Sequence, residues 1–474
     1  MNHPKTQTII QADICVIGAG SGGLSVAAAA AQMGRQVVLI EKHKMGGDCL
    51  NYGCVPSKAL IAAAHAAHAM RTSSAFGITP HEPQVSGPGL HKHIHEIIDK
   101  IAPDDSEERF TQLGCKVIRA TARFVSPDMI EADGQHIKAR RFVIATGSSP
   151  AIPNLPGLDQ VDFLTNESLF DLTEIPKHLL VLGAGPIGVE MAQAYARLGA
   201  KVSLIGRKPQ ILPREDAELA EIVAQSLKTD GVELYLNADA KAFGPGPEIT
   251  LSDGRKISGS HILIATGRKA CVDDLGLAAA GIAYDQTGIK VNAGLCTSNR
   301  RIFAIGDVIG GLQFTHVANY HAGLVIRRAL FRLPAKENRQ ILPRVTFTDP
   351  ELAQVGLTEA EARAKQVKFT IRSWPFAHND RARAERQSQG MVKVLVGRGG
   401  RILGAGIAGP RAGELIAPWV LAMSQGLKIS ALAGAVAAYP TLGEANRRAA
   451  MSHYAGLAQK PWLRRILRVL SWFG

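Results

Sequence analysis

The chain has 474 residues, of which 46% are hydrophobic, 20% charged and only 5% aromatic, with 48 Gly and six Cys; this describes a globular chain of about three domains and excludes disordered, collagen-like and disulfide-scaffold classes. A formal net charge of +13 favours acidic partners such as phosphates, nucleic acid or an anionic membrane surface without choosing among them. Cys15, Cys115, Cys271 and Cys296 stand singly in mostly apolar surroundings, where a small buried hydrophobe is expected, whereas Cys49 and Cys54 form a close pair.

The start, MNHPKTQTIIQADICVIGAG, carries one Lys and a short apolar run that leads directly into a Gly-rich turn; it predicts a strand and not a signal peptide, so export is not expected. The run DICVI is followed by GAGSGG (18–23), an Ala-rich helical stretch and a second β-type run, QVVLIEK. Strand, three glycines, helix and strand make a dinucleotide-binding unit: Gly18 makes the turn, Gly20 lets backbone approach a pyrophosphate, and Gly23 lets the helix pack on the strand. Glu41, at the end of the second strand, is placed to accept hydrogen bonds from ribose hydroxyls, which suits a ribose without a 2′-phosphate.

MGGDCLNYGCVPSK (45–58) comes next, running into a helical LIAAAHAAHAM. Two Cys separated by four residues, with Gly53 before the second and Pro56 two after it, can close a small disulfide across a helix entrance. A thiolate at a helix N-terminus has its pKa lowered by the dipole, so the pair is expected to be redox-active, attacking a disulfide or binding a soft metal; two structural thiols are the plainer alternative. Lys58 lies one turn after Cys54 on the same face. HKHIH (91–95) has metal-like spacing, but no Cys or carboxylate stands in clear register with it, so a solvated surface is expected and no metal ligand is assigned.

RFVIATGSSP (141–150) predicts a buried strand ending in the Thr146–Gly147 turn, and SHILIATGRKA (260–270) repeats it with a turn at Gly267. Between them LLVL, GAGPIG (183–188) and RLGAKVSLIGRK repeat the first unit at an offset of 165 residues, with Gly183, Gly185 and Gly188 in the roles of Gly18, Gly20 and Gly23. Here the position equivalent to Glu41 is Gly206, followed by Arg207 and Lys208. A missing acid and a planar Arg fork favour a 2′-phosphate, hence NADPH over NADH, with a solvated basic turn as the alternative. Arg381, Arg383 and Arg386 lack interleaved aromatics, so a solvated loop is expected there and no nucleic-acid partner. In the tail after 455, Leu463, Ile466, Leu467 and Leu470 recur with helical period while Arg464, Arg465 and Arg468 fall largely elsewhere. This basic amphipathic helix, with Trp462, Trp472 and Phe473, is expected either to pack on its own domain or to touch an anionic membrane surface.

GGDCLNYGCVPSK, the two nucleotide units, RIFAIGDV (301–308) and FTDPELAQVGLTEAEA (347–362) together resemble, in order and over nearly the whole chain, the class I flavoprotein disulfide reductases, the family of dihydrolipoamide dehydrogenase, glutathione reductase and mercuric reductase. The resemblance implies an α/β fold of two Rossmann-type dinucleotide-binding domains plus a C-terminal α+β dimerisation domain, working as a homodimer. The expected parts are an FAD-binding domain over 1–155 and 272–341, an NAD(P)H-binding domain over 156–271, a dimerisation domain over 342–455 and the tail 456–474. It further implies that Cys54 lies beside the flavin ring, that Cys49 exchanges with substrate, that Lys58 lies near flavin N5 paired with Glu190, that Asp307 bonds the ribityl chain of FAD, and that Thr146 and Gly147 form the turn beside the cofactor. His316 falls near the expected flavin edge and is read as structural.

The pattern departs at one place. Thiol–disulfide members end with His-Pro-x-x-x-Glu, whereas this chain has YPTLGE: Glu444 remains, and Tyr439 replaces the imidazole. A phenol with a pKa near 10 is a poor base at neutral pH but can donate a hydrogen bond or a proton. Mercuric-reductase-like proteins also lack that histidine, yet usually carry a C-terminal cysteine pair, and the last cysteine here is Cys296. The expectation is an enzyme, an NAD(P)H-dependent flavoprotein oxidoreductase of mercuric-reductase-like lineage. It would pass electrons from NADPH through FAD and a Cys49–Cys54 disulfide to a thiol/disulfide or soft metal-ion acceptor, in the cytoplasm or peripherally at the membrane. A membrane-associated dehydrogenase reducing a quinone-like acceptor and a non-catalytic redox-sensing binder stay open as alternatives.

Overall fold

A computed structural model describes residues 9–456 and 460–473; the first eight residues, 457–459 and the last residue, which the expected first domain and tail include, lie outside the described residues. The chain divides into two compact units, one made of 1–63, 84–175 and 261–337, the other of 64–83, 176–260 and 338–474.

In the first unit the apolar run around DICVI becomes the strand Ile9–Ile17, which pairs in parallel with Val37–Ile40 on one side and Gln135–Ile144 on the other. Cys115–Ile118 and Ile302–Ala304 extend the parallel sheet at its two sides. Strands covered on both faces read as continuous apolar runs, and the alternation of side chains sends Ile14 and Val16 into one core and Cys15 and Ile17 into the other. Helices Ser21–Gln32 and Thr315–Ala329 contribute to the first of these cores. The meander of Arg123–Ser126, Met129–Ala132 and Gln135–Ile144 completes the sheet in antiparallel fashion.

The second unit holds the repeated nucleotide fold: parallel strands His178–Leu182, Lys201–Gly206 and Val232–Leu236 with helices Pro186–Arg197 and Ala217–Thr229. The repeat extends to single bonds. Gly18 N donates to Ile40 O at 2.8 Å and Gly183 N donates to Ile205 O at 2.8 Å, each 165 residues from its counterpart. Gly18 and Gly183 hold φ of +102° and +121°, and a Cβ on Gly23 or Gly188 would stand 1.9 Å from the carbonyl oxygen of Gly18 or Gly183 respectively. Those contacts are why the turn tolerates no side chain at its first and third glycines.

From 344 onward a five-stranded antiparallel sheet runs Arg344–Thr346, Glu351–Gly356, Ile402–Gly409, Met391–Val396, Thr370–Pro375 in spatial order. Its core includes Trp419, fully buried, whose indole donates to Asn446 at 2.8 Å. Of the single cysteines, Cys15, Cys115 and Cys296 are buried as expected, while Cys271 is half-buried. The arginine run forms the short helix Asp380–Ala384, in which Arg381 pairs with Glu385 on an exposed surface. The tail forms the helix Pro461–Leu470, on which Leu463 is half-buried while Ile466, Leu467, Leu470, Trp472 and Phe473 are exposed.

Candidate redox site

The cysteine turn is latched to the first dinucleotide loop by its glycines. Gly46 and Gly47 both have left-handed φ, Gly46 N donates to Ala19 O at 2.9 Å, and a Cβ on Gly47 would lie 2.7 Å from the Cα of Gly20. The GG of MGGDC therefore brings two backbones into a contact that side chains would block. It leads into the short helix Gly47–Asn51, which carries Cys49, and Cys54 then opens the long helix Cys54–Thr72.

Both cysteines stand as free thiols, Cys49 half-buried and Cys54 exposed. The Cys49 thiol bonds to the Cys54 sulfur, and this, with the Thr315 hydroxyl at 3.2 Å and the nearby Lys58 charge, lowers the Cys54 pKa to about 6. The same bond, together with burial, pushes the Cys49 thiol well above its ordinary range. One proton is shared so that the sulfur at the helix entrance carries the negative charge. Thr315 carries no motif of its own; its only local signal is its place as first residue of the helix Thr315–Ala329, which begins within FTHVANYHAG (314–323).

Asp48, beside Cys49, is held away from free rotation by Arg268 at 3.0 Å and by the Asn166 amide at 3.0 Å. Arg268 also reaches Ser148, whose hydroxyl donates to Asp307 at 2.6 Å, and lies 3.8 Å from Asp307 itself. Burial raises the Asp307 carboxyl pKa. The two Thr-Gly turns meet in this region: Ser148–Pro150 pairs antiparallel with Arg268–Ala270, Thr146 donates to Cys271 O at 2.7 Å, and Ala151 N donates to Gly267 O at 2.9 Å. Gly147 and Gly267 both have positive φ. The first unit therefore joins Cys49, Cys54, Thr146, Gly147, Gly267 and Asp307 through the Asp48–Arg268–Ser148 network, whose three members lie within the cysteine and Thr-Gly segments but have no role there that the sequence alone assigns.

The residues fit a bound dinucleotide. Helix Ser21–Gln32 starts at Gly20 with no side-chain cap and no acid in its first turn, so its N–H groups and dipole are left for an anion. Glu41, buried, accepts from Ala19 N at 2.6 Å and His43 N at 2.7 Å, which holds its carboxylate at the strand end expected for a ribose. His316 stacks on Phe314 with ring centroids 5.3 Å apart.

The second unit repeats the uncapped helix start at Gly185, where an added Cβ would meet nothing within 4 Å. Gly206 is buried against Ala184 and Leu236, and Arg207 and Lys208 are exposed just beyond it. Glu190 is buried and accepts from Phe347 N at 2.9 Å. Tyr439 donates to Asp380 at 3.0 Å, which raises the phenol pKa, and Glu444 binds Arg448 at 2.8 Å. The acid left over from the usual His–Glu arrangement has thus been taken by an arginine one helical turn away.

Comparison with known proteins gives a consistent result. Residues 12–322 match the family model described as pyridine nucleotide-disulphide oxidoreductase, and residues 342–450 match its dimerisation domain. A mercuric reductase of Streptomyces lividans is 36% identical over 461 residues, covering 94% of this chain and 97% of that protein. A dihydrolipoyl dehydrogenase of Bacillus subtilis (strain 168) is 34% identical over 457 residues, covering 93% and 96%. Among solved structures, LpdA from Mycobacterium tuberculosis superposes with a TM-score of 0.85 at 29% identity, covering 93% of this chain and 99% of that one. The Cu(II) complex of the HOCl-induced flavoprotein disulfide reductase RclA from Escherichia coli gives 0.83 at 27%, covering 93% and 99%.

Proposed function

Because the chain belongs to the pyridine nucleotide-disulphide oxidoreductases, a family that depends on FAD and NAD(P)H, we propose that this enzyme takes electrons from NADPH and delivers them through Cys49 and Cys54 to a soft metal ion or a disulfide-containing acceptor, as a cytoplasmic homodimer. FAD, when bound, relays the electron pair between nicotinamide and the cysteines. It would be held by the Gly18–Gly23 loop, Glu41 and the Thr146–Gly147 turn, with Asp307 toward its ribityl chain.

The observation that carries the reading is the thiol pair itself, two free cysteines at the entrance of the helix Cys54–Thr72, with the Cys54 sulfur 3.2 Å from the Thr315 hydroxyl and its pKa lowered to about 6. Lys58 and Thr315 hold the charge on Cys54. With a disulfide acceptor, the Cys49 sulfur attacks one sulfur of the acceptor as its proton passes to the departing thiolate, forming a mixed disulfide and releasing the first product as a thiol. Cys54 then attacks the Cys49 sulfur, closes the Cys49–Cys54 bond and releases the second product, so that two electrons leave the pair for the two product thiols. A soft metal ion would be bound by the two thiolates and need no protonated leaving group, which matches a site whose acid–base histidine is a tyrosine. Arg207 and Lys208 support NADPH over NADH.

The test is steady-state NADPH oxidation by the FAD-loaded protein against Hg(II), Cu(II), glutathione disulfide, lipoamide and a quinone. Turnover with a metal ion that is lost in Cys49→Ser supports the reading. Turnover only with the quinone, unchanged in Cys49→Ser, supports a second reading favoured by the exposed apolar and basic helix Pro461–Leu470: a dehydrogenase docked on an anionic membrane and reducing a quinone-like acceptor from the flavin.

A further inference from the structure

The helix Gly87–Ile101 begins with a Ser86 cap and puts His91 and His95 on one face, four residues apart, with ring centroids 4.1 Å from each other. Two imidazoles at that spacing lack a carboxylate within the sequence motif. The fold supplies one from 76 residues further on: Asp171, at the end of the turn Leu169–Asp171. One ligand atom from each of His91, His95 and Asp171 lies within 4.8 Å of the others, and His95 Nε2 is 3.4 Å from Asp171 Oδ1. That nitrogen is buried and has no hydrogen-bond partner, because the contact with Asp171 lacks hydrogen-bond geometry. Ligand bonds of about 2.1 Å at tetrahedral angles place donor atoms about 3.4 Å apart. The separation therefore fits two donors aimed at one ion better than it fits a donor and its acceptor.

The two elements are held in register without the ion. Gly87 sits so close to the segment after the turn that a Cβ would lie 2.1 Å from Thr173 O and 2.8 Å from its carbonyl carbon. The helix start is thus packed against the backbone two residues beyond Asp171.

The geometry points to a divalent transition-metal site formed by His91, His95 and Asp171, separate from the cysteine pair. Two imidazoles and one carboxylate suit a borderline ion such as Zn(II), Co(II) or Ni(II) and disfavour both the soft ions that prefer thiolates and the hard ions that prefer oxygen alone. Three protein ligands leave a coordination position for water or a small ligand, and the bound ion would clip the helix to the turn.

The experiment is equilibrium dialysis of the FAD-loaded holoenzyme, with the cysteine pair oxidised so that no thiolate competes, against Zn(II) at micromolar concentration. The expected result is one Zn(II) per chain, with binding at least about tenfold weaker in His95→Gln and in His91→Gln, and a Zn(II)-dependent rise in thermal midpoint that the variants lose. Both variants replace partly exposed side chains, and retained flavin absorbance shows that they are folded. The proposal is overturned if the parent binds no Zn(II) at micromolar concentration or if neither variant weakens binding. Neither result bears on electron transfer through Cys49, so failure here leaves the proposed function standing.

Discussion

Cys54 is the residue on which the proposed chemistry turns, and its charge is favoured by three neighbours of different kinds: the Cys49 thiol, the Thr315 hydroxyl and the Lys58 ammonium. Its folded pKa of about 6 lies below the ordinary thiol value of about 8.5. The favourable interactions of the thiolate are therefore fully present above the ordinary value and fade as pH falls through about 6. Thiolate absorbance of the reduced protein should titrate with a midpoint near 6, and Thr315→Val should move it upward; an unmoved midpoint would show that the hydroxyl does not support the charge. Tyr439 belongs to the same scale. Its hydroxyl is committed to Asp380 and its pKa is raised, so at neutral pH it is no base. Glutathione disulfide and lipoamide should be reduced poorly, and Tyr439→His should raise that activity toward the ~10²–10⁴-fold that a positioned acid–base group contributes. Rapid reduction of either disulfide by the parent would contradict this account of the position.

Among elements, the two nucleotide units share backbone bonds yet differ at the end of the second strand, where Glu41 stands in one and buried Gly206 with exposed Arg207 and Lys208 in the other. In Arg207→Glu the ratio of kcat/KM for NADPH over NADH should fall about tenfold or more, because an anion replaces the cation nearest the expected phosphate. Equal efficiency with both nucleotides in the parent would remove the 2′-phosphate argument. The tail helix Pro461–Leu470 exposes Trp462, Ile466, Leu467 and Leu470 along with Arg464, Arg465 and Arg468. Each cation near an anionic surface contributes about 1 kcal/mol. Flotation with vesicles containing anionic lipid should be strong at low salt, weaken as salt rises and disappear on deleting 457–474; flotation that survives the deletion places the contact elsewhere.

At the scale of the molecule, the second unit contains an ion cluster built around a buried pair, Lys393 and Asp216. Lys393, on the strand Met391–Val396, lies 3.0 Å from Asp216, 2.9 Å from Glu218 and 2.8 Å from Glu359. Asp216 also caps the helix Ala217–Thr229, so one ammonium ties a strand of the C-terminal sheet to a helix of the nucleotide fold. Lys393→Met should cost about 3–5 kcal/mol, because Asp216 would be left buried without its countercharge. A urea unfolding midpoint equal to that of the parent would show that the cluster relaxes or hydrates instead. Among the described residues no helix is long and apolar enough to cross a membrane.

What the sequence alone determined is what depends on local repetition and short spacing: both Gly-rich turns, the parallel strands around them, and the cysteine pair at a helix entrance. Those features recur because the physical demand is local, a turn without side chains or an apolar strand covered on both faces. Only the tertiary structure decided which distant groups complete each site. Thr315 lies 261 residues from Cys54, Arg268 joins Asp48 to Ser148 and Asp307, and Asp171 faces the HKHIH histidines across a turn. A single Thr, Arg or Asp carries no periodicity or motif, so its partner becomes known only when the chain has folded and burial has removed water as the alternative partner.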